Sequence, residues 1–178
     1  MTNYDLASRC SGPGAPAFRW YGYPPCIVGE DVGAAVDRLM ESISGGKRLW
    51  NPYAAGMARS EFKKRIEKAQ RGELQPVDEV KPVDIKNPPP LYEIRWTGIS
   101  VTEQADDGSQ SHSTAQVRMY HSEPAALPDY FVGHHVHEKR IDVEDVNAEQ
   151  QKEICAAVKW YAHGEPGKWG IASNSSTI

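Results

Sequence analysis

The chain has 178 residues, of which 39% are hydrophobic and 25% charged, a make-up that suits one globular domain with an extension. Its formal net charge of −4 excludes a protein that coats nucleic acid through its overall field, because that affinity comes from neutralising phosphates with Lys and Arg. No stretch approaches the roughly 18 apolar residues of a membrane span, and the N-terminal residues lack the charged-then-apolar layout of a secretory signal, so a cytoplasmic protein without a membrane partner is expected.

Residues 1–30 hold "SGPGAP" and "YGYPP", a Gly/Pro-rich arm that cannot sustain a helix or a central strand, with "CIVGE" as a short strand at its end. From Asp31, the spacing of Val32, Val36, Leu39, Met40 and Ile43 predicts a helix stopped by Gly45 and Gly46. Phe62, Ile66 and Ala69 mark a second helix ending near Gly72, and the two helices read as a hairpin. Five prolines between residues 76 and 90 make an extended connector. "LYEIRWTGISV" and "TAQVRMYHS" alternate as the strands of an antiparallel hairpin around a polar loop, "EQADDGSQSHS", and "YFVGHHVHEKRI" is a third strand. Asn147 with Gln150 fits a capping box before a last helix striped by Ile154, Ala157, Val158 and Tyr161. The reading is therefore α+β: an arm over 1–30, one domain over 31–164 and a tail over 165–178.

Two patches invite functional readings. Residues 57–71 gather Arg59, Lys63, Lys64, Arg65, Lys68 and Arg71 against Glu61 and Glu67, either a surface for RNA or an acidic partner or a solvated helix face. Residues 134–140 pack His134, His135 and His137 beside Lys139 and Arg140, which admits a metal site, a phosphate-handling site or a plain polar strand face. His-x-His alone does not compel zinc, because no second ligand group follows at a fitting spacing, so neither metal nor another cofactor is expected. Cys10, Cys26 and Cys155 are odd in number and far apart, which suits reduced thiols, with Cys155 in the core.

The order of helix, helix, "LYEIRW", "QVRMY", a strand ending in "HEKR" and a helix from "NAEQQKEICAA" resembles the RelE/HigB toxin superfamily, especially its phage-derived HigB-like branch, over about residues 32–161. The resemblance implies two N-terminal helices packed on a small, mainly antiparallel sheet with a C-terminal helix. It further implies a toxin of toxin–antitoxin type that cleaves mRNA without metal, commonly on the ribosome, and is neutralised by an antitoxin. Family members are usually basic and shorter, so an acidic relative that binds and inhibits a host protein on the same scaffold is the alternative.

Metal-free RNA cleavage needs a base for the ribose 2′-hydroxyl, cations for the phosphate and an acid for the leaving oxygen. Strand alternation puts His135, His137 and Lys139 on one face and His134, Glu138 and Arg140 on the other, if no bulge intervenes. The resemblance assigns the catalytic set to His137, Lys139, Arg140 and Arg118, with His163 or Tyr161 completing proton transfer. Arg59, Lys63, Lys64, Lys68 and Arg95 are the expected RNA contacts, Arg95 having a pair with Glu93 as its structural alternative.

Overall fold

The computed structural model describes residues 7–27, 29–83 and 89–172. The fold is α+β, with three α-helices and a six-stranded, mainly antiparallel sheet among the described residues. In chain order the elements are β1 (Ala17–Trp20), α1 (Asp31–Ser42), β2 (Arg48–Leu49), α2 (Pro52–Gln70), β3 (Val80–Pro82), β4 (Leu91–Gln104), β5 (Gln110–Ser122), β6 (Tyr130–Glu138) and α3 (Val146–Gly164). The sheet runs β1-β6-β5-β4, and β2 and β3 share the outer edge of β4. Among these strand pairs of the described residues, β1–β6 is the parallel one and the others are antiparallel.

The period-2 pattern of β4 and β5 sorts their side chains to two faces. Ile94, Trp96, Val117 and Met119 point to one face and join Val136, Leu39 of α1 and Phe62 and Ile66 of α2 in the main core. Phe62 meets the Trp96 ring edge-on at 5.4 Å, and the Trp96 indole N–H donates to the Glu61 carbonyl at 3.2 Å. Truncating either ring to Ala would cost about 3–5 kcal/mol. Leu91 and Tyr120 face the other way, against Ile154 and Ala157 of α3.

Local signals set the helix ends. Asn51 caps α2 by accepting from the Ala54 N–H at 2.7 Å, with Pro52 at the first helical position, and Gly72 leaves the helix at φ 69°. For α3 the cap is Asp145, accepting from the Ala148 N–H at 2.9 Å, so the helix starts ahead of the expected Asn147–Gln150 box.

Several expectations are corrected. Residues 17–20 of the supposed arm form an edge strand tied down by Asp31, whose Oδ1 accepts from both Arg19 Nη1 and the Trp20 N–H at 2.8 Å. Gly133 makes this possible, since a Cβ there would lie 3.0 Å from both the Phe18 and Trp20 rings. Cys26 and Ile27 of "CIVGE" form no strand, and Val28 lies outside the described residues. The polar loop shrinks to residues 105–109, because Gly108 at φ 83° and Asp107, accepting from the Ser109 N–H at 2.9 Å, close a tight turn. Cys155 is exposed, since Ile154 and Ala157 take the buried positions of α3. Part of the Pro-rich connector, residues 84–88, lies outside the described residues, as do 1–6 and 173–178.

Candidate functional site

On the α3 face of the sheet, register alone assembles a row of charged and imidazole groups. Arg95 of β4 is the direct partner of Arg118 of β5, and Arg118 of His137 of β6. The neighbouring row runs Lys81, Glu93, Tyr120, His135 across β3, β4, β5 and β6. Side chains directly opposite in neighbouring strands stand within contact range, so the pairing gives this cluster its geometry.

Glu93 is its electrostatic centre. Its Oε1 lies 3.7 Å from Lys81 Nζ, 3.5 Å from Arg95 Nε and 3.7 Å from Arg118 Nε, while Oε2 is buried without a hydrogen bond among the described residues. Arg118 is 2% exposed and donates to the Val117 carbonyl at 3.1 Å. Lys139 continues the pattern beyond β6, its N–H donating to the Gln116 carbonyl at 2.7 Å. Its ammonium makes no ion pair among the described residues, and burial, with the Arg118, Arg95 and Lys81 charges, holds its pKa below the ordinary lysine value against the pull of Glu93. Three cations thus lie against one carboxylate, with Lys139 within reach of its field. A cleft of about 490 Å³ opens beside them, lined by Lys81, Glu93, Gln150 and Ile154 among others.

His137 is 8% exposed and fully engaged. Its Nδ1–H donates to the Glu138 carbonyl at 3.1 Å, leaving Nε2 to accept from the Tyr120 hydroxyl at 3.1 Å. Burial pushes its pKa down to about 4, against the attraction of Glu153, so the ring is neutral at pH 7. Burial likewise pushes the Tyr120 hydroxyl well above its usual value. His135 bonds Glu153 of α3 and stacks on His137 at 6.4 Å. The arrangement can hold an anion and can accept a proton at His137, but His137 is not charged in advance of doing so.

The expected division of the histidines between faces fails because a bulge intervenes. Register shifts between Tyr120/His135 and His121/Gly133, leaving His134 as the extra residue and turning it toward the α3 side. There it touches the rings of Tyr161 and Trp169, and Nε2 accepts from the Ser122 hydroxyl at 2.8 Å. Burial pushes its pKa down to about 3.

The remaining candidates lie apart. Tyr161 and His163 are eight and ten residues beyond Glu153, about 12 and 15 Å further along α3. Tyr161 donates to Glu165 at 3.2 Å, and His163 Nδ1 sits 2.8 Å from the Tyr21 hydroxyl beside Trp160. They do not complete the site at His137. Arg140 is exposed and 3.2 Å from Asp142. On α2, Arg59 pairs with Asp37, Lys63 with Glu67 at 3.7 Å, Lys64 with Glu61 at 3.6 Å, and Lys68 with Glu79 at 2.7 Å. Against the upward push of burial, hydrogen bonds from Lys68 and the Gln75 N–H, with the Arg65 charge, lower the Glu79 pKa. The basic helix is thus matched by local carboxylates, and it packs on the sheet face opposite the cationic row. Arg95 contacts Glu93 at 3.5 Å and donates to the Val77 carbonyl at 2.8 Å.

Lys81, Glu93, Tyr120 and Glu153 belong to the site without having been expected there. The alternation of "LYEIRW" puts Glu93 and Arg95 on one face, but only the strand register reveals their partners. Among the described residues no helix is long and apolar enough to cross a membrane. No family model, curated protein or solved structure matches the chain.

Proposed function

We propose that the chain is an RNA-directed protein of RelE/HigB type, a metal-independent mRNA ribonuclease whose phosphate site is the Arg95–Arg118–His137 row with Lys139. On this reading α1 and α2 are the family's N-terminal helical hairpin, and mRNA, the ribosome and an antitoxin are the partners. The carrying observation is that three adjacent strands place two guanidiniums and an imidazole in direct register, with Lys139, which makes no ion pair among the described residues, at their margin. Arg118, Arg95 and Lys139 hold the phosphate and offset its developing charge. His137 Nε2, once released by Tyr120, takes the 2′-hydroxyl proton, and the Tyr120 hydroxyl supplies a proton to the leaving 5′-oxygen in the role first assigned to His163 or Tyr161.

The second reading, a non-enzymatic inhibitor of a host protein on the same scaffold, is favoured by one observation: Arg118 and His137 are both buried and already bonded within the chain. The deciding experiment incubates untagged protein with an RNA oligonucleotide, with and without EDTA, and, separately, with translating ribosomes. Cleavage giving 2′,3′-cyclic phosphate ends, lost in Lys139→Ala and Tyr120→Phe, supports the nuclease. Intact RNA in both arms hands the site to the binding reading.

A further inference from the structure

A second cluster lies on the core face of the sheet, joining residues far apart in sequence. Cys10 Sγ lies 3.8 Å from His121 Nε2, and Glu123 Oε1 lies 3.1 Å from the same nitrogen. The three ligand atoms all fall within 4.8 Å of one another. A nucleophile–base–orienter chain needs its two partners on opposite ring nitrogens. Here thiol and carboxylate face one nitrogen, so they converge on a point instead of relaying a proton.

Convergence is what a metal ion asks for. Tetrahedral zinc, with bonds of about 2.0–2.3 Å, separates its ligand atoms by roughly 3.3–3.8 Å. The two separations to His121 need adjustments of only a few tenths of an ångström to reach that range, and the sulfur-to-carboxylate separation, within 4.8 Å, closes as the ion draws its ligands in. Sulfur, imidazole nitrogen and carboxylate oxygen together suit a borderline-soft ion such as zinc and not magnesium or calcium.

The surroundings hold the ligands in place. Cys10 and His121 are fully buried, and the imidazole is stacked on Tyr92 at 5.5 Å and met edge-on by Phe131 at 5.4 Å. His121 Nδ1 is buried with no hydrogen-bond partner among the described residues, so the ring's polar anchoring rests on Nε2. Glu123 accepts from the Ser8 hydroxyl at 2.5 Å and from the Arg9 N–H at 2.8 Å, the kind of outer contact that orients a ligating carboxylate. Arg9 itself donates to the Leu127 and Tyr130 carbonyls at 3.0 and 2.9 Å, which fixes the segment bearing Cys10.

We propose that Cys10, His121 and Glu123 bind one zinc ion, with the fourth position taken by water, and that this ion clamps residues 8–11 to the end of β5. On binding, the Cys10 thiol gives its proton to solvent and its sulfur bonds the metal, while the proton that His121 Nε2 donates to Glu123 moves by tautomer exchange to Nδ1, freeing the Nε2 lone pair to ligate. The site is on the opposite sheet face from the cationic row and does not depend on the RNA reading.

The test uses untagged full-length protein, stripped with EDTA, dialysed and titrated with zinc and with cobalt. One equivalent of zinc, a raised melting temperature and a thiolate-to-cobalt charge-transfer band are expected. Cys10→Ser should abolish the band, Glu123→Gln should weaken zinc binding at least tenfold, and Cys155→Ser should change neither. Wild-type protein that takes up no zinc, or a band that survives Cys10→Ser, overturns the proposal. If Cys10→Ser does not fold, Glu123→Gln decides: unchanged zinc affinity overturns it and a tenfold loss supports it.

Discussion

The Tyr120 hydroxyl lies 3.1 Å from His137 Nε2, and the two rings stack at 5.4 Å with 14° between their planes. Tyr120→Phe keeps the ring and deletes the donor, leaving a buried lone pair unsatisfied. We expect a loss of about 1–3 kcal/mol in urea unfolding. The His137 pKa should rise, because the neutral form loses its hydrogen bond, which NMR titration of the ring would follow. An unchanged stability and pKa would mean that water replaces the hydroxyl.

Glu93→Gln leaves Lys81, Arg95 and Arg118 without their shared carboxylate. Breaking a buried pair from one side costs about 3–5 kcal/mol, and the exposure of Lys81 places this case toward the lower end. The variant should regain much of its melting temperature in phosphate or sulfate but not in chloride at matched ionic strength, since a multivalent oxyanion can occupy the carboxylate's place. Equal behaviour in all three salts would argue against an anion site.

Acid should destabilise the protein well above the carboxylate range. The folded-state pKa values of His134 and His137, about 3 and about 4, lie below the ordinary 6.5, so the unfolded chain binds more protons in between. Stability contributed by these neutral rings is complete above about pH 6.5 and falls as pH drops toward 4, by up to about 1.4 kcal/mol per pH unit for each ring. Urea midpoints measured from pH 7.5 to 4.5 give the slope, and His137→Asn should reduce it by about one proton. A flat profile across that window would contradict the assignment.

Lys63 and Lys64 are 62% and 68% exposed and paired within their own helix. Reversing both to Glu should shift stability within about 0.5 kcal/mol and, since α2 lies across the sheet from the cationic row, leave RNA affinity unchanged. Lys139→Ala should instead weaken RNA binding and reduce its salt-dependence slope by about 1. Filter-binding at several salt concentrations compares the two, and the opposite ranking would move the RNA surface to α2.

What the sequence made legible was what repeats locally. The 3.6 period of Val36, Leu39, Met40 and Ile43 and the alternation through "LYEIRW" and "QVRMY" mark α1, β4 and β5 without any partner in view. Register was not legible, so neither was the contact of Glu93 with Arg118. Nothing local announces a bulge at His134, because only the pairing with Tyr120 and His121 creates it. β1 was hidden for the same reason: its partner β6 lies more than a hundred residues away, and prolines crowd its flanks. Cys10 and His121, 111 positions apart, show no spacing at all.

The parallel pairing of β1 with β6 also sets an order of events on the ribosome. Phe18 and Trp20 are made about 110 residues before Phe131 and Gly133, their register partners. At about 5–20 residues per second, two large aromatic side chains wait roughly 5–20 s for the strand that buries them. During that interval the helices can begin to form, but this edge of the sheet has no template. Until β6 emerges, the nascent chain therefore holds Phe18 and Trp20 against α1 alone, without the strand that completes their burial.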